Sequence, residues 1–90
     1  MVEVVMIDKD KIQIGSIYRT KKPKPRGFLI QYYDDRQVLW MSADKAQVQY
    51  DSPSVRIGQR HPIVTIEKFA KWAHEDVTDR LPRGEWQEYK

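Results

Sequence analysis

The sequence contains no cysteine and no long apolar run, and both absences exclude whole classes of protein. Without cysteine there are no disulfides, no thiolate metal ligands and no cysteine nucleophile. The apolar run at residues 4–7 is too short for the core of a signal peptide. No stretch approaches the roughly 18 apolar residues that a membrane span requires. We therefore expect a cytoplasmic protein that does not contact a membrane.

Leucine is also scarce, and its scarcity indicates the fold class. The 90 residues include only 3 Leu and 4 Ala, against 16 residues that are Ile or Val. Branching at Cβ favours the pleated strand over the helix, so the composition favours a mainly β (α+β) protein over a helical bundle. The length allows one domain, and 40% hydrophobic residues are enough for a small core.

The clearest strand signal is a pair of apolar runs, residues 27–33 and 37–42, on either side of Asp34-Asp35-Arg36. This pattern predicts a β-hairpin with a short polar turn. Strict alternation would place Val38 and Trp40 on one face of its second strand. Leu39 and Met41 would then lie on the other. Since both faces are apolar, one face would build the core and something else would have to cover the other.

A helix is predicted late in the chain, over about residues 65–77, after Thr65 as a helix-capping residue. Its apolar stripe has helical spacing and consists of Ile66, Phe69, Ala70, Ala73 and Val77. Together with the strands it predicts a small, strongly curved antiparallel meander or barrel of about five strands with one late amphipathic helix. Residues 1–79 would form this single domain, and residues 80–90 a C-terminal tail that is either docked through Trp86 or frayed.

The segment Gly15-Ser-Ile-Tyr-Arg19 resembles the opening strand of small uncharacterised proteins encoded by phages and prophages. Those proteins begin with a Gly-x-x-Tyr-Arg segment and continue as a twisted meander like the Src-homology-3 barrel. Val48-Gln49-Tyr50 is similar to their middle strand, and Pro62 with Phe69 to their closing helix entry. This chain departs from the pattern in its long basic loop and in the longer gap before Phe69. The resemblance covers residues 15–73 and implies a fold and a phage or mobile-element setting, but no activity.

Residues suited to catalysis are few and badly spaced. The two histidines, His61 and His74, have too few partners at metal-ligand spacing, so we expect no metal site. Adjacent carboxylates in a turn, such as Asp34 and Asp35, cannot face each other across a substrate. No Gly-rich phosphate loop and no nucleophile elbow is present. We expect a protein that is not an enzyme and has neither a cofactor nor a small-molecule substrate.

The strongest electrostatic feature is a basic segment with +5 charges within eight residues, from Arg19 to Arg26. Cations that bind phosphate beside rings that stack on bases make a nucleic-acid footprint. The sequence therefore offers nucleic-acid binding as an alternative function. Its candidate residues are Arg19, Lys21, Lys22, Lys24, Arg26, Arg60, Tyr32 and Trp40.

Our first hypothesis is a protein-binding module that recognises either a second copy of itself or a host protein. Aromatic residues make up 11% of the chain, more than a small core readily buries, and they are enriched at interface hot spots. A hairpin that is apolar on both faces also leaves a surface that needs cover. The candidate interface residues are Tyr33, Leu39, Met41, Trp72 and Trp86.

Overall fold

The computed structural model describes residues 7–27, 29–56, 58–80 and 86–89, and within them the chain is mainly β. The strands are β1 (Ile17–Thr20), β2 (Pro25–Arg26), β3 (Tyr32–Tyr33), β4 (Arg36–Met41), β5 (Gln47–Asp51), β6 (Ile63–Thr65) and β7 (Ala73–Asp76). The helix α1 (Ile66–Trp72) joins β6 to β7, and 3-10 turns lie at Lys9–Lys11 and Thr78–Arg80. The predicted α+β class is confirmed.

Five strands form one antiparallel sheet in the order β6-β5-β4-β1-β7. The sheet is open: in the described part of the chain β6 and β7 are its two edges and do not pair with each other. The helix α1 directly connects these edge strands and packs against both. The chain thus crosses from one edge of the sheet to the other through α1, and the predicted barrel is not closed.

The core lies between the sheet and α1, on the side that we call the inner face. Phe69 of α1 is fully buried, and its ring contacts the rings of Tyr18 and Tyr50 at centroid distances of 5.7 and 5.9 Å. Val38 and Val48, from adjacent strands, are also fully buried. The helix α1 thus supplies the central aromatic residue of a core that is built mostly by strands.

The predicted helix begins where expected but is too long. Thr65 accepts a hydrogen bond through Oγ1 from the backbone N–H of Lys68 at 3.2 Å, which confirms it as the N-cap. The helix ends at Trp72, and Ala73 starts β7, which pairs with β1. Ala73 and Val77 are four residues apart, and this even spacing suits one face of an extended chain as well as one face of a helix. Pairing with β1 decides between the two, since tertiary contacts override local helix preference.

The predicted hairpin of residues 27–33 with 37–42 is not formed. The strand β4 pairs with β1 and β5, whereas β3 pairs with β2 in a separate two-stranded sheet. The C-terminal segment, residues 86–89, adds to this second sheet through an isolated bridge between Tyr32 and Glu88. Backbone hydrogen bonds from Tyr33 N–H to Gln87 O, 2.9 Å, and from Tyr89 N–H to Gln31 O, 2.8 Å, hold it there. Residues 86–89 of the tail are therefore docked.

Candidate functional site: an exposed sheet face and two stacked arginines

A β-bulge in β4 places two neighbouring large apolar residues on the outer face of the sheet. The register between β4 and β5 shifts between Val38 and Trp40, so that Leu39 is an extra residue in its strand. Val38 is buried, whereas Leu39 and Trp40 are 39% and 43% exposed. An inserted residue reverses the alternation beyond it, which turns Met41 back toward the core. The predicted pairing of Val38 with Trp40 on one face is therefore wrong.

The outer face continues over two more strands, through the polar Gln49 of β5 to the apolar Ile63 of β6. Trp40 lies opposite Gln49, and Gln49 lies opposite Ile63, so the three side chains share the outer face. Ile63 is 49% exposed. We call Leu39, Trp40 and Ile63 the outer patch. They lie on β4 and β6, with the polar Gln49 of β5 between them, on the face of the sheet that α1 leaves uncovered because it packs on the opposite face.

Polar groups lie between and beside the residues of the outer patch and contact one another. Gln49 donates a hydrogen bond through Nε2 to the backbone carbonyl of His61 at 3.1 Å. His61 Nε2 in turn lies 3.6 Å from Asp51 Oδ1. Protein interfaces commonly combine exposed apolar side chains with hydrogen-bonded polar groups in this way.

Arg19 was a candidate for binding nucleic acid with the rest of the basic segment, but it is a buried residue of β1. It is 6% exposed, and its partner Asp35 is fully buried. The guanidinium donates from Nε to Asp35 Oδ1 at 2.8 Å and from one terminal nitrogen to Asp35 Oδ2 at 2.9 Å. These hydrogen bonds raise the pKa of Arg19 against the opposing effect of burial. Its charge is used inside the protein and is not available to a nucleic acid.

The docked tail completes the surroundings of Arg19. The same terminal nitrogen that contacts Asp35 Oδ2 also donates to Gln87 Oε1 at 2.7 Å. The Tyr33 ring lies under the guanidinium, with 3.7 Å between Arg19 Cζ and the ring centroid, and Tyr89 packs against Tyr33 at 5.0 Å. The candidate interface residue Tyr33 therefore makes its contacts within its own chain. The tail docks through Gln87 and Tyr89, and Trp86 is half-buried.

Arg36, at the start of β4, is stacked on two rings. Its Cζ lies 4.5 Å from the centroid of Tyr50 and 4.1 Å from that of Trp72. Burial lowers its pKa, and the opposing influences of Tyr50 and Asp34 do not restore it. The sequence predicted only that Arg36 would lie in a turn. No local pattern connects it to Trp72, which lies on the distant helix, so nothing in the sequence marked this arrangement.

The rest of the predicted basic surface is exposed. Lys21, Lys22, Lys24 and Arg26 are all solvent-facing, as is Arg60 in the connection before β6. Arg26 lies opposite Tyr32 in the second sheet, and its Nε is 3.4 Å from Asp34 Oδ2. A basic stretch and one half-buried ring are thus brought together. The candidate residue Trp40 belongs to the outer patch.

Two other candidate interface residues pack against the core. Met41 lies against the core cluster, and Trp72 is half-buried, 5.6 Å from Phe69 between ring centroids. Among the five candidates, Leu39 is thus the one that presents more than a third of its surface.

The described part of the chain lacks a metal-binding cluster and a membrane-spanning helix, and the comparisons with known proteins give no match. In the described ranges no three His, Asp or Glu side chains gather as metal ligands would. No helix in those ranges is long and apolar enough to cross a membrane. Comparison of the chain with protein-family models, curated proteins and solved structures gives no match.

Proposed function

We propose that this protein is a non-enzymatic protein-binding module that acts through the outer patch, by self-association or by contact with a host protein. The supporting observation is the bulge in β4, which directs both Leu39 and Trp40 to solvent on the same face of the sheet as Ile63. Leu39 and Trp40 are neighbours, and adjacent large apolar side chains that are exposed mark interaction surfaces. The role as an accessory of a phage or other mobile element rests on the Gly15–Arg19 resemblance and forms part of the proposal.

A second copy of the chain suits the outer patch well. Trp40 and Ile63 lie on either side of Gln49 across three strands, so a two-fold axis near Gln49 would bring Trp40 of each copy onto Ile63 of the other. In such an isologous contact the same patch of each copy is used, and both Trp40 and Ile63 are buried. The amide of Gln49 both donates and accepts, so it can pair with its own copy at the axis.

Light scattering on Trp40→Ser and Ile63→Ser tests this surface. We expect the wild type to have the mass of a dimer and each variant to be a folded monomer. Leu29→Ser is the matched control, since Leu29 is 89% exposed in the connection between β2 and β3. A wild type that is monomeric at high concentration excludes self-association and leaves a host protein as the partner. Variants that remain dimeric would place the interface elsewhere.

Nucleic-acid binding is kept as a second candidate because Lys21, Lys22, Lys24 and Arg26 are exposed within six residues. If all four bind phosphate, the logarithm of affinity should fall with the logarithm of salt concentration by about 0.7–0.9 per phosphate neutralised. Changing the four residues to Ser should then flatten this slope by roughly 3. Arg19 is left unchanged, because its loss would disturb the fold. No binding in low salt excludes this function.

A further inference from the structure

The guanidinium of Arg36 is held in place by two rings that are themselves fixed by the core. Tyr50 is 9% exposed and Trp72 packs on the fully buried Phe69, so neither ring is free to turn away. Stacking of a guanidinium on aromatic faces fixes its plane and leaves its edge for hydrogen bonding. Arg36 therefore loses little conformational freedom if a ligand binds at that edge.

Arg36 has no anionic partner within ion-pair distance among the described residues. Five ion pairs form between those residues, and Arg36 takes part in none of them. In the same ranges, no side-chain nitrogen is both fully buried and without a hydrogen-bond partner. The nitrogen atoms of Arg36 therefore reach solvent at the edge of the stack. The lowered pKa agrees with a cation that has lost water without gaining a carboxylate.

The charge around Arg36 limits which anion fits. A guanidinium recognises the two oxygens of a carboxylate or a phosphate by parallel hydrogen bonds. Here the site supplies one positive charge, and the nearby Asp34 already acts on it. A single carboxylate is neutralised by one arginine, whereas a phosphate dianion would remain charged and would be repelled more strongly by Asp34.

We propose that Arg36, stacked on Tyr50 and Trp72, is a binding site for one carboxylate group. The carboxylate belongs either to a free organic acid or to an acidic side chain of a peptide, and the chemistry of recognition is the same for both. Arg36 and Val38 lie on the inner side of β4, opposite the outer patch. The proposal therefore stands whether or not the outer patch binds a protein.

Titration with sodium acetate, followed by nuclear magnetic resonance at neutral pH and constant ionic strength, tests the site. The indole N–H of Trp72 and the Nε–H of Arg36 report on it. We expect both signals to shift and saturate in the millimolar range, with inorganic phosphate binding more weakly. Arg36→Lys keeps the charge but loses the planar fork, so acetate binding at Trp72 should weaken at least about tenfold. Arg56→Lys alters an exposed arginine and should leave the titration unchanged.

A second arm identifies the source of the carboxylate. It compares acetate with the blocked peptide acetyl-Ala-Glu-Ala-amide and its Gln counterpart. Tighter binding of the Glu peptide than of acetate supports the site and assigns it to a protein side chain; equal binding supports it and assigns it to free acids. Tighter binding of phosphate than of acetate overturns the choice of carboxylate. An absence of saturable shifts with every anion overturns the site itself.

Discussion

Arg19 and Arg36 occupy neighbouring strands of one sheet and both stack on tyrosine, yet their electrostatic surroundings are opposite. Arg19 meets the buried carboxylate of Asp35, which raises its pKa. Arg36 meets a second ring, Trp72, and burial lowers its pKa. Stacking on an aromatic ring thus does not determine the role of an arginine. The presence of a carboxylate at its edge separates a structural cation from one that can receive a ligand.

The largest effect should come from removing the carboxylate of Asp35. Asp35→Asn leaves the buried charge of Arg19 without its carboxylate partner, and breaking a buried pair in this way costs about 3–5 kcal/mol. Urea unfolding measures the loss. Asp34→Asn is the neighbouring control: Asp34 has a 3.4 Å contact with the half-exposed Arg26, so we expect less than about 1 kcal/mol from that ion pair. Equal losses from both changes would show that the Arg19 pair has no special weight.

The second largest loss of stability should come from the tail, which contributes one hydrogen-bond partner to Arg19. Gln87→Met keeps the volume but removes the acceptor of the 2.7 Å hydrogen bond. Hydrogen bonds to charged groups contribute about 1.5–3 kcal/mol, and we expect a loss at the lower end because Gln87 is only half-buried. Glu88→Gln alters the exposed neighbour and should change little. An unchanged free energy of unfolding in Gln87→Met would mean that Arg19 does not depend on the tail.

Replacing Arg36 should cost much less than breaking the Arg19 pair. Arg36→Met loses cation–π stacking worth about 0.5–2 kcal/mol, but it also removes a desolvated charge. We therefore expect a net loss of about 1 kcal/mol or less in urea unfolding. A loss as large as that of Asp35→Asn would show that Arg36 is a structural residue, and the contrast between the two arginines would fail.

The smallest change in stability should come from the surroundings of an exposed carboxylate, that of Asp44. The Ser42 hydroxyl donates to Asp44 Oδ1 at 2.6 Å and, with the Ala46 N–H, lowers the pKa of Asp44. A lowered folded-state pKa adds stability above the unfolded value, near 3.9, and that stability is lost as the pH falls through the folded value. Ser42→Ala should thus reduce stability slightly at pH 7 and less in acid. A reduction that is equal at both pH values would contradict the assignment.

The sequence predicted the parts of the fold that depend on local chemistry. The excess of β-branched residues indicated a sheet, and Thr65 indicated the start of the helix. The end of the helix was missed because Ala73 and Val77 fit either structure, and the hairpin was missed because pairing of β4 with β1 is a long-range choice. The site was harder to predict: Arg19 was grouped by its charge with the exposed cations that follow it, and its burial depends on Asp35, which no local periodicity brings to it.

The arrangement of the outer patch could also be predicted only in part from the sequence. The sequence marked Leu39 as an interface residue and Trp40 as a base-stacking one, on the assumption of regular alternation. A bulge at Leu39 puts both on one surface. Neither glycine nor proline marks that position, so the shift comes from the pairing of β4 with β5 and not from a local signal.

The most direct test of the contrast between Arg19 and Arg36 is the hydrogen exchange of their Nε–H groups, measured side by side by nuclear magnetic resonance. The Nε–H of Arg19 donates to Asp35 at 2.8 Å inside the protein, so its exchange requires local opening and should be slow. The Nε–H of Arg36 has no acceptor among the described residues and should exchange much faster, slowing when acetate is added. Equal rates for the two groups, or an Arg36 signal that acetate does not protect, would contradict the account.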